Sequence, residues 1–368
     1  MKVLLVKDRN VLGTKWVLNF ANQLVKRGYE VHLVSNSLAN ADKRADGALN
    51  KSVHYTNLSH NILSKLIPAP LKFKKFISKT RPDVIICYFP KDLYNVAVLG
   101  RPKAPIIMMM HNPPNEVFDK WQKSPIKKAL YKSLMNKVAV LQVLMHNFVA
   151  LADKYYDFKK IVVIPNQVIQ IPLKGRRDLS KETHKITHIA QIAEQYKRQH
   201  LTLEAFAKVA KDFPKWTLNF YGKVKKGKHE KYYRRLLLRV KELGLQSRVK
   251  FNGYCNHIDK VYQHADINCT PSFSEGFGYG MADGLAYGVP GLGFASALGV
   301  NELIINGETG FLVKDVDDYA DKMKVLMTDK ALRIKMGKAA AKDMQRFAPK
   351  VVIDAWDKLI KETVANDK

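Results

Sequence analysis

Residues 271–290 read Pro271-Ser272-Phe273-Ser274-Glu275-Gly276-Phe277-Gly278-Tyr279-Gly280-Met281-Ala282-Asp283-Gly284-Leu285-Ala286-Tyr287-Gly288-Val289-Pro290. Residues 267–270 in front of them read as a strand. The stretch is therefore a strand end, a glycine-rich turn, a short helix and a stop, with Gly288 and Pro290 as the terminator. Gly276 and Gly278 leave backbone N–H groups free to approach a ligand at the helix N-terminus, where partial positive charge favours phosphate. Glu275 lies at the turn, and Asp283 lies about one helical turn inside the helix, where a carboxylate can accept hydrogen bonds from two neighbouring hydroxyls. Taken as residues alone, this is a phosphate-and-polyol site on a βα unit. The alternative at this point is a solvated loop acid and a surface helix acid.

The same strand–helix alternation extends over the chain. A short apolar run at 3–6 is followed by a loop containing Gly13 and by Val17, Phe20, Ala21 and Leu24 at helical spacing. Gly28 ends that helix and residues 31–34 form the next strand, so the unit is βαβ with parallel strands. Residues 84–87, 106–110, 138–144 and 161–164 are further buried-strand candidates, each apolar and bounded by charge, Pro or Asn. A second series starts at 186–190 and continues through a helix face at Leu203, Phe206, Ala207 and Ala210. Strands follow at 217–221, 249–251 and 267–270, with a basic helix at 231–243. The reading is an α/β protein of two Rossmann-like doubly wound domains facing a cleft: 1–168, a linker at 169–184, and 185–348. An amphipathic helix within 349–368 either caps the second domain or crosses back to the first.

Composition narrows the class. Of 368 residues, 46% are hydrophobic and 26% charged, which excludes a disordered chain, a collagen-like fibre and a coiled coil. Lys and Arg number 62 against 33 Asp and Glu, a net charge of +29, and the first 180 residues carry 30 of the cations with 11 of the acids. Such a field favours an anionic partner: nucleic acid, an acidic membrane surface or a phosphorylated substrate. The three cysteines, Cys87, Cys255 and Cys269, form neither a disulfide framework nor a metal-ligand spacing, so a reducing compartment is expected. The opening apolar run is cut at once by Lys7 and Asp8, and no apolar stretch is long enough to span a bilayer. A soluble, cytoplasmic protein is expected.

Glu275 and Asp283, in the frame E-G-F-G-x-x-x-x-D-G-L-A-x-G-x-P, resemble the E-x7-E signature of the GT-B retaining glycosyltransferases of family 4. Gly299-Val300-Asn301-Glu302-Leu303-Ile304 and Gly307-Glu308-Thr309-Gly310-Phe311-Leu312-Val313 resemble that family's next block. Lys197-Arg198-Gln199 before Glu204-Ala205-Phe206, and Ile164-Pro165-Asn166, resemble further blocks, so the likeness covers nearly the whole chain. The resemblance implies a GT-B fold and metal-independent sugar transfer (EC 2.4) with retention of configuration, with no cofactor and a UDP- or GDP-sugar as substrate. Glu275 would contact hydroxyls of the transferred sugar and Asp283 the nucleotide ribose. Backbone amides around Gly276, Phe277 and Gly278, with Lys197, would cradle the diphosphate. Gly13 would close over the donor, and His111 would face the sugar and acceptor as the second catalytic residue. Tyr254 is a candidate for contact with the base.

Departures from the pattern locate the open questions. The ribose acid is Asp, one methylene shorter than the usual Glu. The usual Gly-Arg appears as Ala190-Gln191, which removes one cation from the diphosphate clamp and makes Arg198 the candidate replacement. Gly13-Thr14 stands for a double glycine, and Gln167 for the glycine after Pro-Asn.

Other features have plainer readings. Asp315-Val316-Asp317 imitates a D-x-D metal motif but precedes a helix, where N-capping explains it. The basic run from Lys223 to Arg239 has a buried face at Leu236, Leu237, Val240 and Leu243, so it is a solvated surface and no nucleic acid is expected. Residues 65–79 and 120–132 mix cations with apolar side chains and suggest peripheral docking on the inner face of an anionic membrane; the rival is that those apolar residues are core. The leading function is transfer of a sugar to a saccharide or lipid-linked saccharide in cell-envelope polysaccharide or glycolipid synthesis. The alternatives are a same-fold nucleotide-sugar epimerase or glucan synthase, and a non-catalytic polyanion-binding protein.

Overall fold

Short, wholly apolar runs such as Val-Ile-Ile-Cys and Ile-Ile-Met-Met-Met become parallel strands with every side chain buried, because helices cover both faces of such a sheet. The computed structural model describes residues 1–8, 15–36, 48–59, 66–100 and 102–367, and these form two units. The first unit comprises Met1–Pro165 and Lys350–Lys368. Its strands are β1 (Lys2–Val6), β2 (Glu30–Ser35), β3 (His54–Asn57), β4 (Val84–Cys87), β5 (Ile106–Met110), β6 (Val140–Val143) and β7 (Ile161–Val163). They pair in parallel in the order β3-β2-β1-β4-β5-β6-β7. Between them lie α1 (Lys15–Lys26), α2 (Ala69–Thr80), α3 (Pro90–Ala97), α4 (Pro114–Gln122), α5 (Pro125–Met135) and α6 (Asn147–Asp153).

The second unit is Asn166–Pro349. Its strands are β8 (Lys185–Ile189), β9 (Thr217–Tyr221), β10 (Val249–Phe251), β11 (Ile267–Thr270), β12 (Gly291–Phe294) and β13 (Gly310–Val313), in the parallel order β10-β9-β8-β11-β12-β13. Its helices are α7 (Glu194–Lys197), α8 (Gln199–Ala210), α9 (Lys228–Glu242), α10 (Ile258–Tyr262), α11 (Tyr279–Ala286), α12 (Val316–Thr328) and α13 (Lys330–Asp343). In each sheet the strand order reverses once, between β1 and β4 and between β8 and β11. Crossovers leave such a point in opposite directions, which opens the carboxyl ends of the two strands to a ligand.

The architecture is the α/β one expected, and three differences have physical causes. Strands β3, β12 and β13 escape the periodicity because β3 is a polar edge strand and the other two begin on glycine. The stretch 169–184, expected as a linker, clusters with the second unit. Arg177 is the reason: its buried guanidinium donates to the Asp266 carboxylate (2.7 Å) and the Ala265 carbonyl (3.0 Å), and its N–H to the Tyr287 carbonyl (2.7 Å). On α9, Tyr232, Leu236 and Val240 are buried, whereas Leu237 points outward.

The last helix, α14 (Pro349–Ala365), completes the first unit. Val352, Ile353, Trp356, Leu359 and Ile360 join Val17, Phe20 and Leu24 in one core, with the Phe20 and Trp356 rings 5.0 Å apart. Tyr29 donates to Asp357 at 2.7 Å, and Arg27 pairs with Asp354. Trp356→Ala removes the largest of these buried side chains and leaves a cavity in the core. We expect a loss of about 3–5 kcal/mol from the first unit, read by urea denaturation as an earlier unfolding midpoint.

Candidate active site

Strand β11 ends at Thr270, beside the end of β8, and the chain leaves it as the loop 271–278. Gly278 holds φ +92° and turns the loop into α11, a conformation costly for a residue with a Cβ. Gly280 follows because a Cβ there would lie 2.4 Å from the Ile189 carbonyl oxygen, so the first turn of α11 rests on the end of β8. No side chain caps this helix, and its N-terminal dipole faces the loop.

Glu275 sits on that loop with its side chain 14% exposed, and Oε1 accepts from Lys197 Nζ at 2.5 Å and from Ser272 Oγ at 2.6 Å. Lys197 ends α7, on the segment leaving β8. The structure thus brings together the acid and the lysine that lie 78 residues apart in sequence. Arg198 follows in a left-handed conformation (φ 45°). Its guanidinium turns away from the Lys197–Glu275 pair, donating to the carbonyls of Pro271 (2.9 Å) and Ser272 (3.0 Å) between the rings of Phe273 and Phe294. Arg198 anchors the loop. The Gln191 backbone is held by Gln199, whose buried amide donates to the Gln191 carbonyl (2.9 Å) and accepts from the Ala193 N–H (3.2 Å).

Asp283 lies in α11. Burial raises its carboxyl to about 7, and no side-chain hydrogen bond to it is found among the described residues. Its charge in turn pushes up the hydroxyls of Tyr262 and Tyr279, after burial itself. Hydroxyl donors brought to this carboxylate would stabilise its ionised form. Phe277 is buried against Tyr279 and Phe347, so only its backbone is available to a ligand. Tyr254 is 60% exposed beyond β10, with Lys223 Nζ 4.2 Å from its ring centre.

The first unit carries a separate constellation at its own reversal point. His111 follows β5 and is enclosed by the rings of Trp16 (4.7 Å), Phe89 (5.6 Å) and Tyr88 (6.0 Å). Burial, then the Lys7 charge, lowers it to about 4, so the imidazole is neutral near pH 7. Asp92 was not anticipated from sequence. Its carboxylate accepts the N–H groups of Asp8 (2.8 Å) and Phe89 (2.9 Å), tying the ends of β1 and β4 together, and burial raises it to about 7. The signal for it was Lys7-Asp8, a charged pair placed at once after a buried strand.

The two halves of the chain match two family models: residues 13–168 match "Glycosyltransferase Family 4" and residues 173–343 match "Glycosyl transferases group 1". The chain is of the GT-B glycosyltransferase type. An uncharacterized glycosyltransferase of Haemophilus influenzae is 22% identical over 94% of this chain and 95% of its own length. An exopolysaccharide phosphotransferase of Streptomyces coelicolor is 30% identical over 56% of this chain, which spans about a fifth (21%) of that relative's length. Among solved structures, Anabaena HepE in complex with UDP superposes with a TM-score of 0.80 at 18% identity, covering 98% of this GT-B chain and 100% of that one. Sucrose-phosphate synthase from Thermosynechococcus elongatus gives 0.79 at 16%, over 99% of each.

Of the residues named from sequence, the second unit of the GT-B chain gathers Glu275, Lys197, Gly276, Gly278 and Asp283 around one loop and helix. Arg198 binds the carbonyls of that loop, and the Gln191 carbonyl accepts from the Gln199 amide. Gly13 lies outside the described residues. Asp315 N-caps α12, accepting from the Asp318 N–H at 2.9 Å.

Because the folded Asp283 carboxyl titrates near 7, above its ordinary value of about 3.9, folding favours its protonated form. Its contribution is complete below about pH 4 and is lost as pH rises through 7. Asp283→Asn should therefore lower the pH dependence of second-unit stability between these values, measured by denaturation at a series of pH values.

Proposed function

We propose that this chain transfers a sugar from a UDP- or GDP-sugar to a saccharide or lipid-linked saccharide acceptor, with retention of anomeric configuration, in cell-envelope polysaccharide or glycolipid synthesis. The observation that carries the reading is the Lys197–Glu275 pair on the glycine loop in front of α11, with the half-buried Asp283 carboxyl inside that helix. The bound UDP of the structurally similar HepE supports the nucleotide, and the exopolysaccharide relative supports the product class.

In this reading Asp283 accepts the two ribose hydroxyls. The diphosphate lies against the loop amides at Gly276 and Gly278 and the N-terminus of α11, where Lys197 adds a cation. Glu275, fixed by Ser272, accepts from hydroxyls of the sugar. As the bond from the anomeric carbon to phosphate breaks, negative charge builds on the leaving phosphate, and Lys197 and the helix terminus are preorganised for it. The acceptor oxygen bonds to the anomeric carbon on the same face, and its proton passes to the departing phosphate oxygen. No carboxylate base is then needed. His111, neutral in its aromatic enclosure, can orient a hydroxyl by a hydrogen bond but is no proton donor at pH 7.

The charge-neutralising role is assigned to Lys197 and the helix, so transfer should survive EDTA. In a product assay over a panel of nucleotide-sugars and saccharide acceptors, we expect one nucleotide family to serve as donor. Glu275→Ala should abolish transfer while leaving the circular-dichroism spectrum unchanged. Wild-type turnover in that variant removes Glu275 from the site, and an epimerised donor without acceptor product overturns transfer itself.

A membrane-facing acceptor is part of the proposal. Phe73 and Trp121 are core, but Leu66 (80% exposed), Ile67, Leu71 and Ile126 (81%) project from the basic segments. Near an anionic surface each cation adds about 1 kcal/mol. Among the described residues, no helix is long and apolar enough to cross a bilayer. The chain should float with anionic liposomes at physiological salt and not with neutral ones, and Leu66→Glu combined with Ile126→Glu should reduce that binding.

A further inference from the structure

Parallel pairing of β2 with β3 sets His32 directly opposite His54. Side chains alternate along a strand, so Glu30 shares the face of His32 while Val31 and Leu33 enter the first unit's core. The two imidazole rings stack with centres 4.7 Å apart and planes 23° apart, and His32 Nε2 lies 2.8 Å from Glu30 Oε1. One ligand atom from each of the three residues lies within 4.8 Å of the other two.

We propose that Glu30, His32 and His54 form a binding site for a divalent transition-metal ion of the zinc class, apart from the sugar-transfer residues, that staples the edge strand β3 to β2. The donor set selects the ion. Two imidazoles and one carboxylate suit zinc, with bonds of about 2.0–2.2 Å, whereas magnesium and calcium prefer oxygen alone. A tetrahedral ion with such bonds holds its ligand atoms roughly 3.3 Å apart. Two of the donors already meet at 2.8 Å and all three lie within 4.8 Å, so the ion forms its site by turning the stacked imidazoles until their ring nitrogens converge. The strand pairing fixes the Cα positions of both histidines side by side, so only their side-chain torsions have to adjust on binding.

One cation stands nearby. Lys2 Nζ lies 3.4 Å from Glu30 Oε1 and also donates to the Thr80 carbonyl at 3.0 Å. It keeps the second of these bonds when the ion takes the carboxylate. The position fits a structural role: Glu30 and His54 are the first residues of their strands, whereas Asp92 and His111 serve the opposite, carboxyl ends. Strand β3 has no fully buried side chain, so apolar packing holds it weakly, and a bond across the pair adds what burial does not.

The test uses the full chain without a histidine tag, stripped with EDTA and desalted. Titration calorimetry with zinc chloride should give one ion per chain, zinc should raise the Tm, and magnesium should do neither. His32→Ala and His54→Ala, each checked for fold by circular dichroism, should both abolish the binding and the Tm rise. Amide hydrogen exchange in 54–57 should slow with zinc in the wild type only. No binding by the wild type, or undiminished binding by either variant, overturns the site; binding with no change in exchange overturns the staple.

Discussion

The carbonyl oxygens of Pro271 and Ser272 are held by one guanidinium, that of Arg198, and the position of the glycine loop depends on this pair of hydrogen bonds. Arg198 can reach them because it adopts a left-handed conformation between two helices, which turns its side chain back under the loop while Lys197 points forward to Glu275. The left-handed backbone of a non-glycine residue is costly, and two charge-assisted bonds together with two flanking rings offset it. The adjacent cations thus face different partners, Arg198 the loop carbonyls and Lys197 the Glu275 carboxylate. In the proposed reaction the charge of the diphosphate would fall to Lys197 and the helix, because the Arg198 guanidinium is already engaged by the two loop carbonyls.

Two acids are held away from water, Asp92 fully and Asp283 in part. Asp283 and Asp92 both stand near 7 because burial disfavours their charge, yet they occupy quite different surroundings. Asp92 already receives two backbone N–H groups and uses them to hold two strand ends together. Asp283 has no such donors among the described residues, and a group placed in that condition is the one a ligand with neighbouring hydroxyls can satisfy.

How much of this was legible depends on whether the signal was local. Strands β4 and β5 are readable because burial on both faces forces an unbroken apolar run, and β3 is not because an edge strand carries polar residues. Glu275 and Asp283 stand out in the sequence through the glycine-rich turn beside them, and Lys197 only through the family resemblance; its contact with Glu275 is visible only in the fold. The anchoring roles of Arg198 and Gln199, and the tie made by Asp92, rest on carbonyl and amide groups that any residue supplies, so no side-chain pattern reports them. The mixed basic and apolar segments divided: Phe73 and Trp121 are core, Leu66 and Ile126 are surface. Alternation alone could not separate them because both kinds occupy the same short helical neighbourhoods.

Helix α14 brings the final residues of the chain into the core that α1 begins. The first unit is thus split in sequence, with the whole second unit, Asn166–Pro349, spliced into it. During synthesis the second unit is complete as soon as its own residues have emerged, and domains fold as units while the chain grows. The first unit, most of whose residues emerge earlier, waits for the α14 side chains that complete the core around Phe20. Order of synthesis and order of completion are reversed, and the wait is as long as the time taken to make the inserted unit.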